Sequence, residues 1–164
     1  MNAMAQIVGA PTPGSSAPAA QEFRLRRTGH KAVRFTGWKI LDAQGSTHGT
    51  TMWYDLAIYR SDASQCIVEL VARRQALAEQ DLYRVDMFDS LDQALAWLET
   101  YNCAADIPVP PRLTASEEPM ALAAIQAVQL RQRMARIHDD FQELISDVFE
   151  ALDMTEGVPL GQAA

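Results

Sequence analysis

From Met120 to Glu156 the chain contains neither glycine nor proline. Ser116, Glu117, Glu118 and Pro119 stand just upstream. They offer a cap, first-turn acids that suit a helix dipole and a proline tolerated in a first turn. Steps of three and four then give Met120, Ala123, Ala127, Leu130, Met134, Ile137, Phe141, Leu144, Val148 and Ala151, an unbroken a/d heptad series. Ile145 and Leu152 widen the stripe at e positions in the second half, which is bundle-like rather than a narrow two-stranded seam.

Length decides what such a helix demands. Thirty-eight helical residues span about 57 Å at 1.5 Å each. A domain of about 80 residues is only about 30 Å across, so it cannot cover the whole stripe. With no turn-forming residue inside the run, a second chain is the expected cover. The expected interface is Leu130, Met134, Ile137, Phe141, Leu144, Ile145, Val148 and Leu152. The partner is a second copy, with a dimer favoured, or a helix of another protein. An antiparallel pair is preferred, because Arg131, Arg133 and Arg136 precede Asp139, Asp140, Glu143, Asp147, Glu150 and Asp153.

Upstream the pattern changes. Residues 1–21 include "GAPTPGSSAPAA", which has no bulky side chain to offset ordering entropy, so they read as a disordered tail. Residues 22–103 read as an α+β domain. "KAVRFTGWKIL" (31–41), "TMWYDLAIYR" (51–60), "QCIVELVAR" (65–73) and "DLYRVDMF" (81–88) are rich in β-branched and aromatic residues. Met52, Tyr54, Leu56 and Ile58 share one face of the second run, as do Cys66, Val68, Leu70 and Ala72 of the third. Gly37 is expected to allow a bulge. Short connections make an antiparallel meander of about four strands the economical topology. "DSLDQALAWLETY" (89–101) then supplies a helix, with Ser90 and Gln93 as a capping box and Leu91, Ala94, Leu95 and Leu98 as its apolar stripe. Residues 104–115 carry prolines that favour a stiff linker, 116–155 form the association helix, and 156–164 a flexible C-terminus.

The net charge of −7 is unevenly spread. Residues 1–60 hold seven Lys/Arg against three acids, giving +4, and residues 61–164 hold seven against eighteen, giving −11. Such an acidic molecule repels phosphate as a whole, but a local basic face escapes that objection. "RLRRTGHKAVRFTGWK" (24–39) is that face. Arg24, Arg26, Arg27, Lys31, Arg34 and Lys39 are its candidate nucleic-acid contacts, with Phe35 and Trp38 interleaved to stack bases. The bland alternatives are a charged edge strand that blocks aggregation, or a strand that answers the acidic helix of its own chain.

Catalytic and metal chemistry finds little support. His138 has Met134 and Gln142 at its i±4 positions, so it lacks helical zinc spacing and reads as a bundle-edge histidine. His48 sits in "GSTHGTT" (45–51). An enzyme built there would need His48 and a hydroxyl of Thr47 or Thr50 to converge with Asp55, whereas a plain hairpin loop is favoured. Cys66 and Cys103 are expected to be buried small hydrophobes, reduced in a cytoplasmic protein. No segment is apolar enough to span a membrane, and no cofactor is implied. The sequence therefore points to a non-enzymatic assembly or adaptor protein. A dimeric nucleic-acid-associated regulator using strand 24–39 is the alternative.

Overall fold

The computed structural model describes residues 4–7, 19–76, 79–110, 113 and 119–156. It is α+β. Six strands form one antiparallel sheet: β1 (Met4–Ile7), β2 (Gln21–Leu25), β3 (Val33–Gln44), β4 (Met52–Ser61), β5 (Cys66–Arg74) and β6 (Leu82–Phe88). Strands β3 to β6 make the expected meander. Helix α1 (Leu91–Glu99), a 3-10 turn (Cys103–Asp106) and helix α2 (Met120–Glu156) follow. No described helix is long and apolar enough to cross a membrane.

Two strands exceed the expected four. β1 pairs with the second half of β3 and β2 with the first half, so both share one edge of that twelve-residue strand. The segment 1–21 is thus not a tail throughout. Met4–Ile7 is held by its backbone bonds to Leu41–Gln44, which need no bulky side chain. The turn after β2 contains Gly29 at φ +73° and crosses to the far edge. There the Thr28 N–H donates to the Tyr83 carbonyl at 2.9 Å and Thr28 Oγ1 accepts from the Tyr83 N–H at 2.8 Å. The sheet is curled, almost meeting itself.

The curl depends on β3. Its register slips between Lys39 and Leu41, so the bulge lies at Ile40 rather than at Gly37. Gly37 has another task. A Cβ there would lie 2.0 Å from the Arg60 carbonyl oxygen, so only glycine permits this close approach of β3 to β4.

The strand alternation sorts residues onto two cores. Met52, Tyr54, Leu56, Ile58, Cys66, Val68, Leu70 and Ala72 all face the helical layer, as their spacing requires. Inside the curl, Leu25, Ala57, Tyr59, Ile67 and Val85 form a second cluster, closed by Phe23, Val33 and Phe35. Phe23 and Phe35 stack at 5.2 Å and both meet Tyr59 edge-on.

On the outer face, α1 starts as its cap predicts. Ser90 Oγ accepts from the Gln93 N–H, while Gln93 Oε1 reaches back to the Asp89 N–H. Ala94 and Leu98 are fully buried. At about 1.5 Å per residue this nine-residue helix is about 14 Å long, and the sheet is about 19 Å wide. Something else must finish the layer.

That something is α2, a single unbroken helix of 37 residues. Ile137, Phe141, Leu144, Ile145, Val148 and Leu152 are buried in the chain's own core. The 104–115 segment is no free spacer either, because Asp106 and Ile107 are buried beneath α2 and the sheet edge. The proposed cap at Ser116–Glu118 and the C-terminus from Gly157 onward lie outside the described residues.

Burial makes several protons hard to remove. It pushes the Cys66 thiol up to about 11 from its usual 9.0. Burial also raises Cys103, and Tyr54, Tyr59 and Tyr101 are raised by burial together with the carboxylates beside them. A group raised on folding stabilises the fold fully below its unfolded value, and that stabilisation is lost as pH climbs through its folded value. The midpoint of thermal unfolding should therefore fall from about pH 9 upward, across the window opened by the thiols and tyrosines. Cys66→Ala should flatten the first part of that fall. A midpoint that is flat from pH 8 to 11 would contradict this account.

Candidate association surface on the long helix

The interface expected from the heptads divides in two. Ile137, Phe141, Leu144, Ile145, Val148 and Leu152 are not available to a second copy, because their own sheet already covers them. Phe141 packs edge-on to Tyr54 at 5.0 Å and against Tyr101 at 5.6 Å. Leu130 and Met134 are half-buried at the margin of that core.

The overhang is the opposite half. Residues 120–130, "MALAAIQAVQL", include no charged side chain. Met120 is 89% exposed, Ile125 55%, Val128 56% and Leu122 38%. At 100° per residue these side chains spread over an arc of about 200°, wider than one narrow stripe, and Ala123, Gln126 and Leu130 on the remaining side are half-buried. So broad an apolar face is normally covered by another element. Gln126 Oε1, within the same run, is shut from solvent without a hydrogen-bond partner among the described residues.

At the foot of this run lies an apolar groove of about 470 Å³ between α2 and the 3-10 turn, lined chiefly by Cys103, Leu113, Ala127, Leu130, Met134 and His138. Cys103 Sγ is 3.7 Å from His138 Nδ1. Burial raises the thiol above its usual value, which works against the thiolate form. Among the described residues no three His, Cys, Asp or Glu side chains gather as a metal site.

The 3-10 turn that walls the groove is fixed by a polar hub the sequence reading missed. Asp106 is 1% exposed. Its carboxylate accepts from Tyr54 Oη at 2.9 Å, from Tyr101 Oη and from Arg84 Nη2 at 2.5 Å, and its carbonyl accepts from Arg74 Nη2 at 2.6 Å. Three donors offset the cost of burying the carboxylate, and the fourth satisfies the backbone carbonyl beside it. The available signal was an aspartate beside Ile107 and the prolines, where a solvated linker would not need apolar neighbours.

The 45–51 loop does not assemble a catalytic set. Thr47 and His48 are exposed, and Thr50 is buried with its hydroxyl on the Met52 carbonyl. The carboxylate of Asp55 is bound by Arg73 Nε at 2.6 Å, on the concave face of the sheet. The loop instead braces the helix, since Arg136 donates to the Gly49 carbonyl at 2.8 Å.

The basic candidates are split by the fold. Lys39 pairs with Asp42 at 3.4 Å, and Arg26 lies over the Tyr83 ring at 4.9 Å. Arg24, Arg27, Lys31 and Arg34 make no ion pair among the described residues, with α2 or anything else. Phe35 turns into the curl, so it is not placed to stack a base. Comparison with protein-family models, with curated proteins and with solved structures gives no match to this chain.

Proposed function

We propose that this is a non-enzymatic assembly or adaptor protein that self-associates through the first three turns of α2. The observation that carries the reading is the uncharged 120–130 run, whose large apolar side chains are exposed over more than half of the helix circumference while the helix from Ile137 onward is committed to its own sheet. Removing a Leu- or Ile-sized side chain from water is worth roughly 1.5–3 kcal/mol, so several of them can drive a modest interface. Ala121, Ala123, Ala124 and Ala127 let two helices approach closely.

A second copy is favoured over a foreign helix by the order of charges. In the sequence the run is preceded by Glu117 and Glu118 and followed by Arg131 and Arg133. An antiparallel pair sets the acids of each copy beside the arginines of the other, whereas a parallel pair sets like against like. Each exposed pair contributes only about 0.2–1 kcal/mol, enough to choose direction but not to hold the dimer.

Light scattering on the full chain, over a hundredfold range of concentration, should show a mass above that of the 18.1 kDa monomer. Ile125→Asp with Val128→Asp should return the monomer and leave the unfolding midpoint nearly unchanged, since both side chains are exposed. A wild-type chain that stays monomeric throughout, or a variant that keeps the larger mass, would overturn the reading.

A further inference from the structure

The β2–β3 hairpin carries an observation independent of the helix. Between Glu22 and Asp42 the sequence has six Lys/Arg and His30 but no acid. The strand register sets Arg24 directly opposite Arg34. Like charges in that position destabilise a sheet. Both arginines are exposed on the outer side of the hairpin, because Phe23, Leu25 and Phe35 alternate into the curl. Arg24, Lys31 and Arg34 together line a shallow concavity of about 570 Å³, with Ala32 between them. Arg27 adds a further, half-buried cation in the turn, beside a neighbouring concavity that it shares with Arg84 and Asp86.

We infer that this hairpin is a phosphate-binding surface that takes the sugar-phosphate backbone of a single-stranded nucleic acid, without reading its bases. A cross-strand arginine pair can offer two guanidinium forks to neighbouring non-bridging oxygens, the geometry in which arginine binds phosphate best. The row of cations suits a linear polyanion rather than one small ion. A protein partner would call for an apolar centre to the contact, and this hairpin sends its large apolar side chains inward. A lipid surface would likewise call for apolar or aromatic side chains to enter it. A phosphodiester chain needs neither, because its affinity comes from counterion release. Base stacking is absent from the proposal because Phe23 and Phe35 pack on each other and on Tyr59.

The test is fluorescence anisotropy of the full chain with a labelled mixed-sequence single-stranded 20-mer, at several salt concentrations. Binding should weaken steeply with salt and be indifferent to sequence. Arg24→Gln with Arg34→Gln should lower the slope of log affinity against log salt by about 1.4, at roughly 0.7 for each lost phosphate contact. Arg24→Glu should weaken binding more strongly. That variant also faces Arg34 with an opposite charge, so its unfolding midpoint should hold or rise, separating lost binding from lost fold. Polyglutamate and vesicles of phosphatidylserine with phosphatidylcholine serve as rival polyanions. The proposal fails if the oligonucleotide does not bind at low salt, or if the arginine variants bind it as well as wild type. It also fails if either rival binds through the same arginines at least as tightly.

Discussion

Phe141→Ala should destabilise the folded chain by about 3–5 kcal/mol, the usual cost of emptying a buried aromatic site. The ring is 1% exposed and sits between Tyr54, Tyr101 and the sheet, with little freedom for the cavity to collapse. Ordinary domains have only about 5–15 kcal/mol in hand, so Phe141→Asp, which buries an unpaired charge as well, should leave the protein largely unfolded. Urea unfolding followed by tryptophan fluorescence measures the first variant, and far-ultraviolet circular dichroism the second. A Phe141→Ala protein that unfolds at the wild-type midpoint but loses mass in light scattering would return this residue to an intermolecular interface. The contrast with Ile125 and Val128 is sharp, because substitutions there should change mass and spare stability.

The second large effect is expected at Asp106. Replacing it with asparagine removes the charge that faces Arg84 and turns an amide donor either toward Arg84 or toward the hydroxyls of Tyr54 and Tyr101. Because Arg84 is 45% exposed, the loss comes mainly from the buried hydroxyls left without their acceptor, at about 1–3 kcal/mol for each unsatisfied group. Tyr101→Phe deletes a single bond to the carboxylate and should cost about 1.5–3 kcal/mol. The two changes share one network, so the double variant should lose clearly less than the sum of the single losses. Simple additivity would mean that the hub does not act as a unit.

How far the fold could be read in the sequence depended on which forces hold each part. Strands β4 and β5 were legible because one face is fully buried, and burial writes a two-residue period into Met52 to Ile58 and Cys66 to Ala72. The Ser90–Gln93 cap was legible because it is a local bond. β1 was not, since a strand of only four residues, paired through its backbone to β3, is too short to show a two-residue period. β2 read as part of a basic stretch for a similar reason: its Arg24, like Arg26 just beyond it, is exposed, while Phe23 and Leu25 enter the core. The bulge at Ile40 hid behind Gly37, the residue type that more often marks one.

The long helix is the most instructive case. A stripe that lies on its own sheet and one that seals a coiled coil have the same spacing, so the a/d series could not distinguish them. The distinction lay in the stripe's width. Ile145 and Leu152 broaden it where the sheet is wide, and Ala123 and Ala127 thin it where the helix runs free. The apolar stripe was therefore legible as a property of α2, but six of its eight expected interface residues, from Ile137 to Leu152, are covered by the chain's own sheet. Asp106 was missed because a hub formed by residues 54, 84, 101 and 106 exists only after two sheet strands, the end of α1 and the 3-10 turn have met.

Because α2 is continuous across both halves, its exposed end behaves mechanically as a beam clamped at one side. Seventeen residues separate Met120 from Ile137, a reach of about 26 Å beyond the first buried anchor. Whatever grips the tip is held at a fixed distance and direction from the sheet, with no hinge-forming glycine or proline between to absorb a load. A pull at Met120 therefore acts with leverage on Ile137 and on the Arg136–Gly49 brace beside it. In an assembly, the curled domains would be spaced by the stiffness of this helix, and strain at the contact would be felt first in the core.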